Sequence, residues 1–141
     1  MKLALFAALA ALGCSVSTGG YFVECGPHPW VNVAVAARAG PVEVLHSPTL
    51  NVGADLTRLS VNYGPTLGRF QPTVGIGYAG FRTWGACTDG HWCDHEWISS
   101  FTIGAGLTYR MTPARIDGAV HCYDGNAPFS CGAVLLMGVD L

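Results

Sequence analysis

The sequence predicts an all-β fold: an up-and-down, antiparallel, eight-stranded transmembrane β-barrel. Three observations predict it. Apolar residues recur at every second position through segments of up to about ten residues, the period of a strand with two unlike faces. The second face is not rich in Lys and Glu but carries Gly, Ala and Thr with an occasional charge, which suits the crowded interior of a small closed barrel whose apolar residues point outward. Hydrophobic residues make up 50% of the 141 residues and charged ones 11%, yet no apolar run is long enough for a membrane helix.

The clearest pair of segments lies in the middle of the chain. From Phe70 to Ala79 the even positions carry Phe, Val, Ile and Tyr, and the odd ones Gln, Thr, Gly, Gly and Ala. From Phe101 to Arg110 the odd positions are apolar and the even ones are Thr, Gly, Gly, Thr and Arg. Each is a strand with one greasy and one small or polar face.

In chain order, Met1-Lys2 followed by the apolar run to Leu12 has the form of a secretory signal, too short to span a bilayer. It predicts export of the chain, with residues 1–13 as signal. Ala11-Leu12-Gly13-Cys14 resembles a bacterial lipobox, which implies lipidation of Cys14, with 14–20 as a flexible tether and the barrel domain over 21–141.

Tyr21 to Cys25 is a short first strand, and Trp30 to Arg38 a second with Val31, Val33 and Val35 on one face. Ala39-Gly40-Pro41 turns into Val42 to His46, where Glu43 lies opposite Val42 and Val44; Pro48 then interrupts the ladder. From Thr49 to Tyr63 the alternation slips once, which predicts a β-bulge near Thr57-Arg58 and places Asn51, Gly53, Asp55, Arg58, Ser60 and Asn62 on one polar face. Gly64 to Gly68 turns into the central pair. Arg115 to Cys122 opposes Ile116 and Val120 to Arg115, Asp117, Ala119 and His121, and Cys131 to Leu141 closes the series. Short connections at Gly40, Gly64 to Gly68 and Thr112-Pro113 alternate with longer ones, Gly85 to Glu96 and Tyr123 to Ser130. That is the layout of periplasmic turns and external loops.

These eight segments behind a signal resemble the small outer-membrane barrels of Gram-negative bacteria and their phages, although the last residue is Leu141 where such barrels usually carry Phe. The resemblance implies an outer-membrane location, contact with outer-membrane lipids and external loops free to meet a surface protein.

The polar faces collect Glu24, Arg38, Glu43, Asp55, Arg58, Arg110, Arg115, Asp117 and Asp140, five acids against four bases, which predicts an interior ion-pair network filling the lumen. Among six cysteines, Cys87 with Cys93 and Cys122 with Cys131 bracket loops and are the expected disulfides of an oxidising compartment; without lipidation, Cys14 with Cys25 would complete a third pair. Cys87, His91, Cys93 and His95 lie within nine residues, but their spacing matches no common zinc signature, so a stapled loop is expected rather than a metal site.

Glu43, His46 and Ser47 invite a hydrolase reading, since lipid A deacylases are similar barrels with His, Ser and Glu on the outer wall. Here His46 and Ser47 are adjacent, so a strand would point them to opposite faces. The expectation is therefore a monomeric, non-enzymatic protein without cofactor, whose disulfide-stapled loops serve a structural or surface-binding role. A near-neutral charge with Lys2 as the only lysine gives no basic patch for nucleic acid. Two alternatives remain: a secreted or periplasmic soluble disulfide-stapled barrel that binds a ligand, and a lipid A-modifying outer-membrane hydrolase.

Overall fold

The computed structural model describes residues 13–25, 28–48, 54–86, 92–125, 127 and 130–141, with side chains described outside 23–31, 54 and 83–96. Eight strands follow in order: β1 (Cys14–Cys25), β2 (His28–Ala39), β3 (Val42–Ser47), β4 (Ala54–Tyr63), β5 (Phe70–Ala86), β6 (Trp92–Met111), β7 (Ala114–Tyr123) and β8 (Cys131–Asp140). Each pairs antiparallel with its sequence neighbour, and β1 pairs with β8 from Ser15↔Asp140 to Val23↔Gly132. The sheet is a closed up-and-down barrel, as expected. Closure satisfies the edges that an open sheet would leave unpaired.

The small residues at the start of the chain are strand and not tether. Ser15 and Ser17 are buried while Val16 between them is 51% exposed, so residues 15–18 alternate like the rest of the wall. Serine and glycine there read as linker by composition, but a crowded barrel interior selects the same residues. Gly19 lies so close to β8 that a Cβ would stand 2.0 Å from the Leu135 carbonyl oxygen. The first strand thereby gains the length that Tyr21 to Cys25 alone lacked.

The bulge expected near Thr57-Arg58 is absent. Register runs unbroken from Ala54↔Thr83 to Tyr63↔Val74, and the slip in the β4 to β6 region falls instead between Thr83 and Trp84. Leu56 therefore turns inward at 2% exposed, and Asp55 joins Thr57 and Leu59 on the outer face. The apparent slip in sequence arose because an apolar residue occupies an interior position. The segment Gly85 to Glu96 is also less of a loop than expected, because β5 continues to Ala86 and β6 begins at Trp92. Residues 49–53 of the expected fourth strand lie outside the described residues.

The barrel is apolar outside and mixed inside. Val35, Val44, Leu59, Ile76, Ile103 and Met137 are 45 to 69% exposed on the outer wall, whereas Ser60, Arg58, Thr102, Thr108, Arg115 and Asp117 are buried. Aromatic residues bracket the outer wall. Phe70 and Tyr109 pack at 4.9 Å near the β4–β5 and β6–β7 turns with Tyr63 nearby at 80% exposed, and Tyr78 meets Phe101 edge-on at 5.4 Å higher on the same two strands. Phe70 to Tyr78 spans about 26 Å along β5 at about 3.3 Å per residue.

Candidate functional site

The interior has two tiers. Toward the turns, Arg38 next to the β2–β3 turn directs Nη2 to Glu43 Oε2 at 2.6 Å across it, and Arg58 Nη2 donates to Glu43 Oε1 at 3.0 Å. Arg115, second in β7, holds Asp117 at 2.6 Å, Asp140 at 3.0 Å and the Ser15 hydroxyl at 2.9 Å. Asp117 also accepts from the Thr108 and Ser17 hydroxyls, and Arg38 Nη1 lies 3.7 Å from it, joining the two clusters. Three arginines meet three carboxylates, so the network is neutral and most of its donors find acceptors, the condition under which buried charge is tolerated.

Toward the loops the interior is apolar and aromatic. Tyr21, Leu45, Leu56, Phe81, Tyr123 and Val134 form one cluster, each at most 9% exposed. The Tyr21 and Tyr123 hydroxyls are hydrogen-bonded, and Phe81 packs edge-on to Tyr123 at 5.1 Å. Between the tiers lies a cavity of about 20 Å³, lined by Arg38, Glu43, Asn62, Asp117 and His121, with room for about one water. His121 Nε2 has no protein partner there. Among the described residues, Arg58, Tyr21, Phe81, Leu45 and Thr108 are fully buried side chains of this interior.

Of the residues expected inside, Arg38, Glu43, Arg58, Arg115, Asp117 and Asp140 come together. Arg110 lies on the same face nearer the rim, where Nη2 donates to Gln71 Oε1 at 2.9 Å. Asp55 is a correction: with no bulge it stands on the outer wall opposite Arg82. The Glu24 side chain lies outside the described residues. Sequence reasoning missed Ser15, Ser17 and Thr108 as members of the network; the first two were hidden by the tether reading, although their spacing two apart was a legible signal.

The hydrolase candidates do not assemble. Glu43 is consumed by two arginines inside the barrel, and Ser47, also inside, donates to the Val33 carbonyl at 2.9 Å. His46 faces outward and its Nδ1 lies 3.0 Å from the Thr57 hydroxyl. Among the described residues no group of three or more His, Cys, Asp and Glu could hold a metal. Cys87 and His91 lie outside the described residues; Cys93 and His95 fall on β6, with side chains not described.

Cys122 and Cys131, register partners at the loop ends of β7 and β8, form a disulfide. A Cys14–Cys25 bond is excluded by geometry. These are the first and last residues of a 12-residue strand, roughly 36 Å apart at about 3.3 Å per residue, and a disulfide spans less than 7 Å between Cα atoms. Cys14 is free and 6% exposed, and its carbonyl accepts from the Leu141 amide at 2.9 Å.

Strand number, closure, pairing and an exposed apolar wall define an eight-stranded barrel of the outer-membrane type. Among solved structures, the N-terminal β-barrel domain of OprF from Pseudomonas aeruginosa is similar, with a TM-score of 0.61 and 19% identity, covering 90% of this chain and 97% of that one. No family model and no curated protein matches the chain. At that identity the likeness is one of fold.

Proposed function

We propose that the chain is a non-enzymatic outer-membrane barrel, exported by its apolar leader, that presents stapled loops outside the cell for a structural or surface-binding role. The observation that carries this is the inverted distribution of polarity: Ile103, Met137 and Val74 are about two-thirds exposed while Arg58 and Arg115 are nearly inaccessible. In water such a wall would be an aggregation surface, and in a bilayer it is the solvated face. The ion-pair network and the aromatic cluster inside the described barrel support a structural role over a pore. The Cys122–Cys131 bond ties the loop ends of β7 and β8 together, which supports a stapled external connection.

Lipid attachment at Cys14 belongs to the same reading. Its thiol is free of any disulfide and opens β1 at the turn end, so attached acyl chains would run in the periplasmic leaflet. Membrane fractionation of expressing cells, with an epitope inserted after Gly125, tests the proposal. Protein in the outer-membrane fraction with the epitope labelled on intact cells is expected; protein recovered from the soluble periplasm would overturn it.

A further inference from the structure

Among the described residues, the outer wall carries a polar patch on the loop-side half of β3–β6. Register places Val44, Leu59, Tyr78 and Phe101 side by side in one row of that wall. The next row toward the loops is His46, Thr57, Gly80 and Ser99, and the row above that brings Asp55, Arg82 and Trp97 together. The wall thus changes within two rows from hydrocarbon to hydroxyl, imidazole and charge. His46 and Thr57 are both exposed, and their one mutual bond at 3.0 Å leaves the imidazole Nε2 directed away from it. Polar groups turned toward hydrocarbon are costly unless they find a polar partner.

The patch has a built floor. Trp97, 64% exposed, lies over Gly80 so closely that a Cβ there would stand 2.5 Å from its ring. Glycine at this position lets the indole lie down against the wall as a flat apolar shelf beside the hydroxyls. Such a shelf with adjacent hydroxyls, imidazole, carboxylate and guanidinium suits a phosphorylated sugar: the ring stacks on Trp97, its hydroxyls bond to His46, Thr57, Ser99 and Asp55, and its phosphate meets the Arg82 guanidinium.

We propose that this patch binds the phosphorylated sugar headgroup of an outer-leaflet glycolipid, whose acyl chains lie along the Val44, Leu59, Tyr78 and Phe101 row. This rests on the outer-membrane reading above. A second copy of the chain is a poorer occupant, because the bulky rows directly below hold a neighbouring wall away, whereas acyl chains conform to them.

The test is retention of glycolipid. The full chain is reconstituted in vesicles of equimolar phosphatidylethanolamine and lipid A, extracted gently and weighed by native mass spectrometry beside a His46→Val, Thr57→Val double variant. Valine already covers the neighbouring wall, so the barrel is expected to form, which an unboiled gel sample of each preparation checks. The wild-type chain should retain lipid A selectively and the variant about tenfold less, the effect of losing roughly 1.4 kcal/mol of hydrogen bonding. Equal retention by both chains, or wild-type retention of both lipids in mixing proportion, overturns the proposal. A wild-type dimer that the variant abolishes assigns the patch to a second copy instead. Failure of the wild-type chain to insert shows as loss of the gel shift and removes the outer-membrane reading, and the site with it.

Discussion

Arg58, wholly enclosed in the barrel, shares the Glu43 carboxylate with Arg38: one oxygen stands 3.0 Å from Arg58 Nη2 and the other 2.6 Å from Arg38 Nη2. One carboxylate on β3 therefore compensates two guanidinium groups, from β2 and β4. Replacing Glu43 by Gln leaves both cations short of a counter-charge, with a cost of about 3–5 kcal/mol. Urea titration of the folded band in detergent micelles should show that loss. A Glu43→Gln, Arg58→Met double variant, which removes the charge imbalance at the more buried partner, should recover much of it.

The second ionic cluster is coupled in the same way. Arg115 and Asp117 bond through two nitrogen–oxygen pairs at 2.6 and 2.8 Å, and Asp140 lies 3.0 Å from the same guanidinium. A double-mutant cycle on Arg115→Ala and Asp117→Ala should give a coupling energy of about 1–3 kcal/mol, since both side chains sit in one network. Additive single effects would mean that the pair contributes no more than its packing.

Gly104 faces His121 across β6 and β7, and a Cβ at Gly104 would stand 2.2 Å from the His121 Nδ1. The imidazole is buried at 4% exposed, so it must shift to admit the methyl group. Gly104→Ala should lower the urea midpoint or prevent assembly, and adding His121→Ala should restore it. A single variant as stable as wild type would show that the ring repacks freely.

On the outer wall Ile103 is 66% exposed, midway along β6. Arginine at such a site in a soluble protein is nearly neutral, whereas facing the middle of a bilayer it costs about 2–4 kcal/mol. Folding of Ile103→Arg into lipid vesicles, measured by urea titration against wild type, separates the two environments.

The central strands were legible because their two faces differ sharply: Phe70 to Ala79 and Phe101 to Arg110 alternate without exception, and the structure keeps both registers. The network was legible in Arg38, Glu43, Arg58, Arg115, Asp117 and Asp140 because charge in an otherwise apolar barrel mostly turns inward, Asp55 and Arg82 on the outer wall being exceptions. What misled was an interior that is not uniformly polar. Leu56 belongs to the aromatic tier with Phe81 and Tyr123, so apolar no longer meant outward, and a bulge that does not exist was needed to explain it. Ser15 to Gly20 failed for the opposite reason, since small polar residues serve linkers and crowded lumens alike. The outer polar patch was not legible at all: His46, Thr57 and Ser99 lie far apart in sequence, and only pairing of β3 through β6 aligns them.

Gel mobility of the full chain from expressing cells, loaded with and without boiling, tests the closed membrane barrel most directly. A ladder with no free edge and a wall suited to detergent should survive the sample buffer, so the unboiled protein should run at a different apparent mass and shift only on boiling. A single band in both lanes, from protein that fractionates with soluble contents, would contradict the account.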